Sequence, residues 1–162
     1  MSEQALAPSA QRVVAAAAAL GLAIEVRDFP DGTRTAEDAA RAVGVGIGQI
    51  VKSLVFLADG KPILCLVSGS HRVDTARLAS AIGATAIGRA DADTVREATG
   101  YAVGGVPPFG HAKPLAVYCD RDLLAFDAVW AAAGNPKSVF SVEPNALVTA
   151  CNATIVDLKE QA

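Results

Sequence analysis

The sequence predicts a single α+β domain with a mixed, barrel-like β-sheet surrounded by short helices. Three observations carry this expectation. At 162 residues the chain is long enough for one compact domain with a true core. Strand-like runs of Val, Ile and Leu are interspersed with short helical segments, each punctuated by Gly, Pro, Asp or Asn. No repeat, low-complexity stretch or linker divides the chain.

Taken in order, residues 1–8 read as a flexible tail and 9–162 as the domain. Ser9 is placed to cap a helix through Leu20, with Val13, Ala17 and Leu20 on one face and Gly21 ending it. Ala23 to Phe29 alternates as a strand, and Pro30-Asp31-Gly32 forms a turn. Thr35, with Asp38 three residues on, begins a helix reaching Val43. Ile50 to Leu57 and Ile63 to Val67 form a hairpin around Asp59-Gly60-Lys61, and both arms are apolar enough to be buried on both faces. A polar connector, Ser68 to Arg72, leads to a helix from Asp74 to Ile82, with Val73 and Leu78 placed as a hydrophobic staple. A short strand near Ala86 to Gly88 follows, then a helix to Gly100 with Thr94 and Glu97 as a capping box. Leu115 to Cys119, Ala128 to Ala132 and Ser138 to Ser141 read as strands, with a turn at Gly134-Asn135-Pro136. Pro144 opens a helix to about Ala150, and Thr154 to Leu158 closes the fold.

Composition narrows the function. The net charge of −3 argues against a wholly basic nucleic-acid binder, although a local basic groove remains compatible with it. The apolar run near Val13 to Leu20 is far too short for a membrane span, and neither a leader nor membrane association is expected. Cys65, Cys119 and Cys151 lack any Cys-x-x-Cys or Cys/His spacing, so they read as buried, reduced thiols of a cytoplasmic protein. The glycines at 44, 46 and 48 do not make a phosphate loop, because Val51 precedes Lys52-Ser53 and a helix leads in. His71 and His111 match no metal signature, and Asp120, Asp122 and Asp127 read as turn or cap residues. No metal and no cofactor is therefore expected. No Gly-x-Ser-x-Gly elbow is present, and Ser70-His71 is no dyad, since consecutive side chains seldom face one another.

Two features remain for chemistry. Lys52 is a lone cation in an apolar strand, either snorkelling from its end or serving a polar pocket. Ala102 to His111 contains Gly104-Gly105 followed by Pro107-Pro108, a stiff loop whose amides from Gly104 to Val106 can point at one place. Such a loop is either a tight turn between strands or a set of rigid donors for a developing oxyanion. A cation and preorganised donors suit hydrolysis of an already activated bond such as an ester.

Four segments together resemble the YbaK/EbsC family of free-standing aminoacyl-tRNA deacylases, which is similar to the editing insertion of bacterial prolyl-tRNA synthetases. They are Thr35 to Ala40, Gln49 to Phe56 with Lys52, Gly104 to Gly110, and Ala150 to Leu158, within a likeness spanning about residues 10–160. The resemblance implies a trans-editing hydrolase of mischarged aminoacyl-tRNA, Cys-tRNA(Pro) or Ala-tRNA(Pro), with prolyl-tRNA synthetase as a possible partner. It implies that Lys52 holds the charged end of the substrate; Lys52 and Gly104 are the expected catalytic residues, and Arg72, Ser68 and Gly69 are expected to bind substrate. It also implies that Gly104, Gly105, Val106, Pro107, Pro108, Phe109 and Gly110 shape the amino-acid pocket. No enzyme nucleophile is implied: water attacks alanyl esters, and the substrate's own thiol attacks cysteinyl ones. Relatives often carry an acidic-then-basic pair where Ser70-His71 stands, and Ser or Thr where Pro107 stands. The alternative from another class is a non-catalytic aminoacyl- or nucleotide-binding module acting through a synthetase. A small-molecule hydrolase of free aminoacyl esters is a third.

Overall fold

The computed structural model describes residues 6–161; the expected tail therefore lies largely outside the described residues. The first helix, α1, spans Pro8–Ala19, so it begins within the segment expected to be tail. Its N-cap is Ala7 without a side-chain cap bond; Ser9 is inside the first turn. Proline explains the shift, because its fixed φ and missing N–H suit the first helical position. Ala10, Val13 and Ala17 are buried, whereas Leu20 ends the helix and is 43% exposed rather than part of its apolar face.

Strand β1 is shorter than expected, Val26–Asp28. Helix α2, Ala36–Val43, is capped by the Thr35 side chain, which accepts from the Asp38 amide at 3.0 Å. A 3-10 turn at Ile47–Gln49 then leads to β2, Val51–Ala58, and β3, Lys61–Ser68. Helix α3, Thr75–Ile82, is capped by Asp74, and β4 is Ile87–Arg89. Helix α4, Ala92–Thr99, is capped by Asp91 accepting from the Thr94 amide, and not by Thr94 with Glu97. The aspartate three residues earlier supplies an acceptor of the same kind. Strand β5 (Ala116–Asp120), a 3-10 turn (Arg121–Ala125), β6 (Val129–Ala132), β7 (Ser138–Val142), α5 (Pro144–Cys151) and β8 (Thr154–Val156) complete the chain.

The strands form two sheets rather than one barrel: a five-stranded sheet ordered β4-β2-β3-β5-β8 and a three-stranded sheet ordered β1-β7-β6. One isolated parallel bridge, Ile50 with Trp130, joins them. The larger sheet is mixed, with β2–β3 antiparallel and β3–β5 and β5–β8 parallel. Alternation along β3 sends Leu64 and Leu66 to one face and Ile63, Cys65 and Val67 to the other. The first face packs with Phe140, Val129 and Ala131 of the smaller sheet and with Val13 and Ala17 of α1. The second packs with Leu78 of α3 and with Val156 and Leu158. Each fully buried leucine contributes about 1.5–3 kcal/mol of apolar transfer.

Of the two hairpin arms, β3 is buried on both faces, whereas β2 keeps six partly exposed positions, among them Lys52 to Leu54. The cause is pairing. Strand β4 covers β2 only at Phe56 to Ala58, so the edge from Val51 to Val55 has no second full strand beside it.

Candidate active site

Along that open edge lies a cavity of about 880 Å³. Residues Val51 to Phe56 form one side, and Thr33 to Glu37 at the entrance to α2 form another. Gly69, Arg72, Gly104, Val106, Trp130 and Glu160 complete the lining used below. The gap between two sheets that do not close thus becomes the site.

Lys52 is half-buried and donates from Nζ to the main-chain oxygen of His71 at 2.5 Å. Burial lowers its pKa below the ordinary lysine value; Glu37 and Asp120 oppose the shift and Arg72 adds to it. The carbonyl of His71 uses one of the three ammonium donors, and no other protein acceptor is found among the described residues. Lys52 is therefore a cation with two donors to spend inside a cavity.

The connector from Ser68 to Arg72 is firmly held. Ser68 Oγ donates to the Gly48 carbonyl at 2.8 Å, and the Gly69 amide donates to Ile50 at 2.7 Å. A Cβ on Gly69 would sit 2.4 Å from the Ile47 oxygen, so only glycine passes there. Asp120, 1% exposed, accepts from the Ser68 amide at 3.1 Å and from His71 Nδ1 at 2.7 Å. Its other oxygen accepts from the Asp122 amide at 3.1 Å, the cap role expected for it. His71, Asp120 and Asp122 hold ligand-type atoms within 4.8 Å of one another. Both Asp120 oxygens and His71 Nδ1 are hydrogen-bonded, Asp122 Oδ2 pairs with Lys159 at 2.5 Å, and His71 Nε2 lies 3.6 Å from the same Asp122 oxygen.

The glycine–proline loop divides into two parts. Gly104, at φ +90°, reaches the cavity; a Cβ there would lie 3.2 Å from Cγ of Arg34. Val106 also lines the cavity. Gly105 turns away, and a Cβ on it would meet the Asn135 Cα at 2.7 Å. Its amide donates to Ala102 at 3.0 Å, whereas no acceptor is found for the Gly104 and Val106 amides among the described residues. Pro107, Pro108 and Phe109 are buried outside the lining; Gly110 is exposed and also outside it, and a Cβ there would meet that of Ala16 in α1 at 2.6 Å. Phe109 rests 5.7 Å, ring to ring, from Phe140. His111 Nε2 donates to the Pro107 oxygen at 2.7 Å, and burial pushes this imidazole below its ordinary pKa. The second half of the loop packs into the fold, and the first half reaches the cavity through Gly104 and Val106.

Of the residues expected at the site, the cavity gathers Lys52, Gly69, Arg72, Gly104 and Val106. It does not include Ser68, Gly105, Pro107, Pro108, Phe109 or Gly110 in its lining. Sequence reasoning did not assign Arg34, Glu37, Trp130 and Glu160 to the site; they converge on it from three separate segments. It also missed the contact of Asp120 with His71, whose sequence separation of 49 residues hides it.

Residues 30–150 match the family model of the aminoacyl-tRNA editing domain. The uncharacterized protein YwhH of Bacillus subtilis (strain 168) is 33% identical over 124 residues, covering 76% of this chain and 78% of that one. A proline–tRNA ligase of Citrifermentans bemidjiense is 34% identical over 92 residues, 57% of this chain but only 16% of the ligase. A crystal structure presented as a candidate trans-editing enzyme for prolyl tRNA synthetase superposes with a TM-score of 0.91. It is 45% identical, and the match covers 97% of this chain and 100% of that one. The chain belongs to the aminoacyl-tRNA editing domain family, and its activity class is that of an aminoacyl-tRNA deacylase.

Proposed function

We propose that the protein is a trans-editing hydrolase that cleaves the aminoacyl ester of mischarged prolyl tRNA, Cys-tRNA(Pro) or Ala-tRNA(Pro). The observation that carries this reading is the convergence of Lys52, Arg72 and Gly104 on one cavity of about 880 Å³. The 3′ end of a tRNA brings phosphates and a terminal adenosine. Lys52, with two donors in hand, and the planar fork of Arg72 are suited to that anionic end. Gly104 brings backbone without a Cβ to the reacting carbonyl, and the amides of Gly104 and Val106 serve the developing oxyanion. Gly105, whose amide is already used by Ala102, instead fixes the loop against Asn135.

Water is the nucleophile for an alanyl ester; for a cysteinyl ester a second route is attack by the substrate's own thiol, which forms a C–S bond in a thiolactone, breaks the bond to the ribose oxygen and passes the thiol proton to that oxygen. Burial pushes the thiols of Cys65, Cys119 and Cys151 up to about 12, which leaves no thiolate near neutral pH to act as an enzyme nucleophile. Hydrolysis breaks the bond between the acyl carbon and the ribose oxygen; water supplies the hydroxyl to the acid and a proton to the ribose. The net charge of −3 gives little general attraction for the tRNA body, which favours delivery by prolyl-tRNA synthetase in a cytoplasmic setting.

The test is single-turnover deacylation with excess protein on Cys-, Ala- and Pro-tRNA(Pro). Release of cysteine or alanine, faster than release of proline, is the expected result. Absence of release above the spontaneous rate for all three would overturn the reading in favour of a binding module.

A further inference from the structure

Asp120 lies outside the cavity, is almost wholly buried, and yet is bonded to the two ends of the segment that holds Lys52. From the structure we infer that Asp120 is a positioning residue for the deacylation reaction, acting through His71 on the Lys52 ammonium. The inference rests on the proposed role of Lys52 in binding substrate.

The argument follows the bonds. A carboxylate only accepts, so His71 donates from Nδ1 to Asp120 Oδ2 at 2.7 Å. The same oxygen accepts from the Ser68 amide at 3.1 Å, three residues upstream. Ser68 and His71 are also joined by a turn bond, from the His71 amide to the Ser68 oxygen at 2.9 Å. One carboxylate oxygen thus closes a small ring with the ends of the turn, and the peptide leaving His71 carries the oxygen that receives Lys52. The next residue, Arg72, lines the cavity, and its own carbonyl accepts from the Glu160 amide at 2.8 Å. The direction of the His71 carbonyl is therefore fixed by Asp120 on one side and by Glu160 on the other.

Among the described residues no Lys or Arg lies within ion-pair distance of Asp120, and a buried carboxylate so placed is an expensive way to hold a turn. A neutral asparagine has the same shape but one acceptor oxygen, which cannot serve both the Asp122 amide and the Ser68 and His71 donors. What the charge adds is a fixed His71 ring, and with it a fixed carbonyl for a half-buried cation. Misplacing a group at a reacting centre by about 1 Å costs on the order of 100-fold in rate.

The experiment is a double-mutant cycle in single-turnover deacylation. Asp120→Asn alone is expected to lower kcat by on the order of 10–100-fold, with a smaller change in KM. Lys52→Ala alone is expected to lose at least as much, and adding Asp120→Asn to it is expected to cost nothing further, as for residues acting as one unit. His71→Asn, whose side-chain amide can replace the Nδ1–H, is expected to keep most of the rate, whereas His71→Ala follows Asp120→Asn. This pair keeps the proposal testable should the Asp120 variant fail to fold. A wild-type rate in both Asp120→Asn and His71→Ala, or additive losses in the cycle, would overturn the inference while leaving the role of Lys52 standing. A wild-type rate in Lys52→Ala would remove the proposed role of Lys52, and with it the basis of both.

Discussion

Lys52 Nζ is bonded to the carbonyl oxygen of His71, so the cation in the cavity is held by a neutral dipole rather than neutralised by a carboxylate. Its charge remains available to an anionic ligand. Lys52→Met is expected to reduce deacylation by at least tenfold and Lys52→Arg by less, measured as single-turnover rates. A transition-state contact to one charged group is worth a loss of this order.

The same residue predicts a pH dependence. Burial lowers the folded-state pKa of Lys52 below 10.5, so between that lowered value and 10.5 the unfolded chain binds more protons. Wild-type stability contributed by this group therefore rises with pH through that window. At neutral pH the charge opposes folding, and Lys52→Met is expected to melt higher than wild type, with the gap closing toward pH 10.5. Thermal melts across pH check the sign, and a gap that widens with pH would contradict it.

Gly104 and Gly105 separate activity from stability. Gly105→Ala drives a Cβ into the Asn135 backbone, and overpacking of this kind costs about 1–3 kcal/mol. For a chain of this size each kcal/mol lowers Tm by about 2–4 °C. Gly104→Ala places a side chain at φ +90° and costs about 1–2 kcal/mol. Its new methyl faces Arg34 in the cavity. The deacylation rate is thus expected to fall more in Gly104→Ala than in Gly105→Ala, judged at a temperature where both are folded.

The three cysteines are expected to resist alkylation in the native state at pH 8 and to react fully in denaturant, since burial raises all three thiols to about 12. The linkage has the opposite sign to that of Lys52. The unfolded chain loses thiol protons from about pH 9, so stability from these groups is complete below that and declines as pH rises. Mass spectrometry after iodoacetamide treatment reads the first expectation directly.

Asp59 latches the hairpin turn to the segment before β4, accepting from the amides of Thr85 at 3.0 Å and Ala86 at 2.9 Å. Those bonds hold its pKa below 3.8, so its contribution is present above that value and is lost as pH falls through the lowered one. Asp59→Asn tolerates the positive φ of 49° but lacks the charge. It is expected to melt lower than wild type at neutral pH, with the difference shrinking in acid.

The order of elements was legible because each strand or helix carries its own period and its own stop. Thr35 and Asp74 announce α2 and α3 through side chains that reach amides three residues on. The hairpin around Asp59-Gly60 appears where spacing predicts it. Lys52 and Gly104 were equally legible, since a charge in an apolar strand and paired glycines before prolines are local anomalies. The barrel was not, because closure depends on how sheets meet at their edges. Among the described residues an isolated bridge, Ile50 to Trp130, stands where a continuous ladder would have closed the two sheets into one.

The chain by itself determined a mixed α+β domain, an aliphatic core, the anomalous lysine and a stiff loop, all properties of residues near in sequence. Tertiary structure alone decided which amides of that loop remain available and which groups meet Lys52. Gly105 loses its amide to Ala102 and packs against Asn135, while Asp120 reaches His71 across 49 residues. Hydrogen-bond partners and desolvation depend on three-dimensional proximity, and no local pattern encodes that.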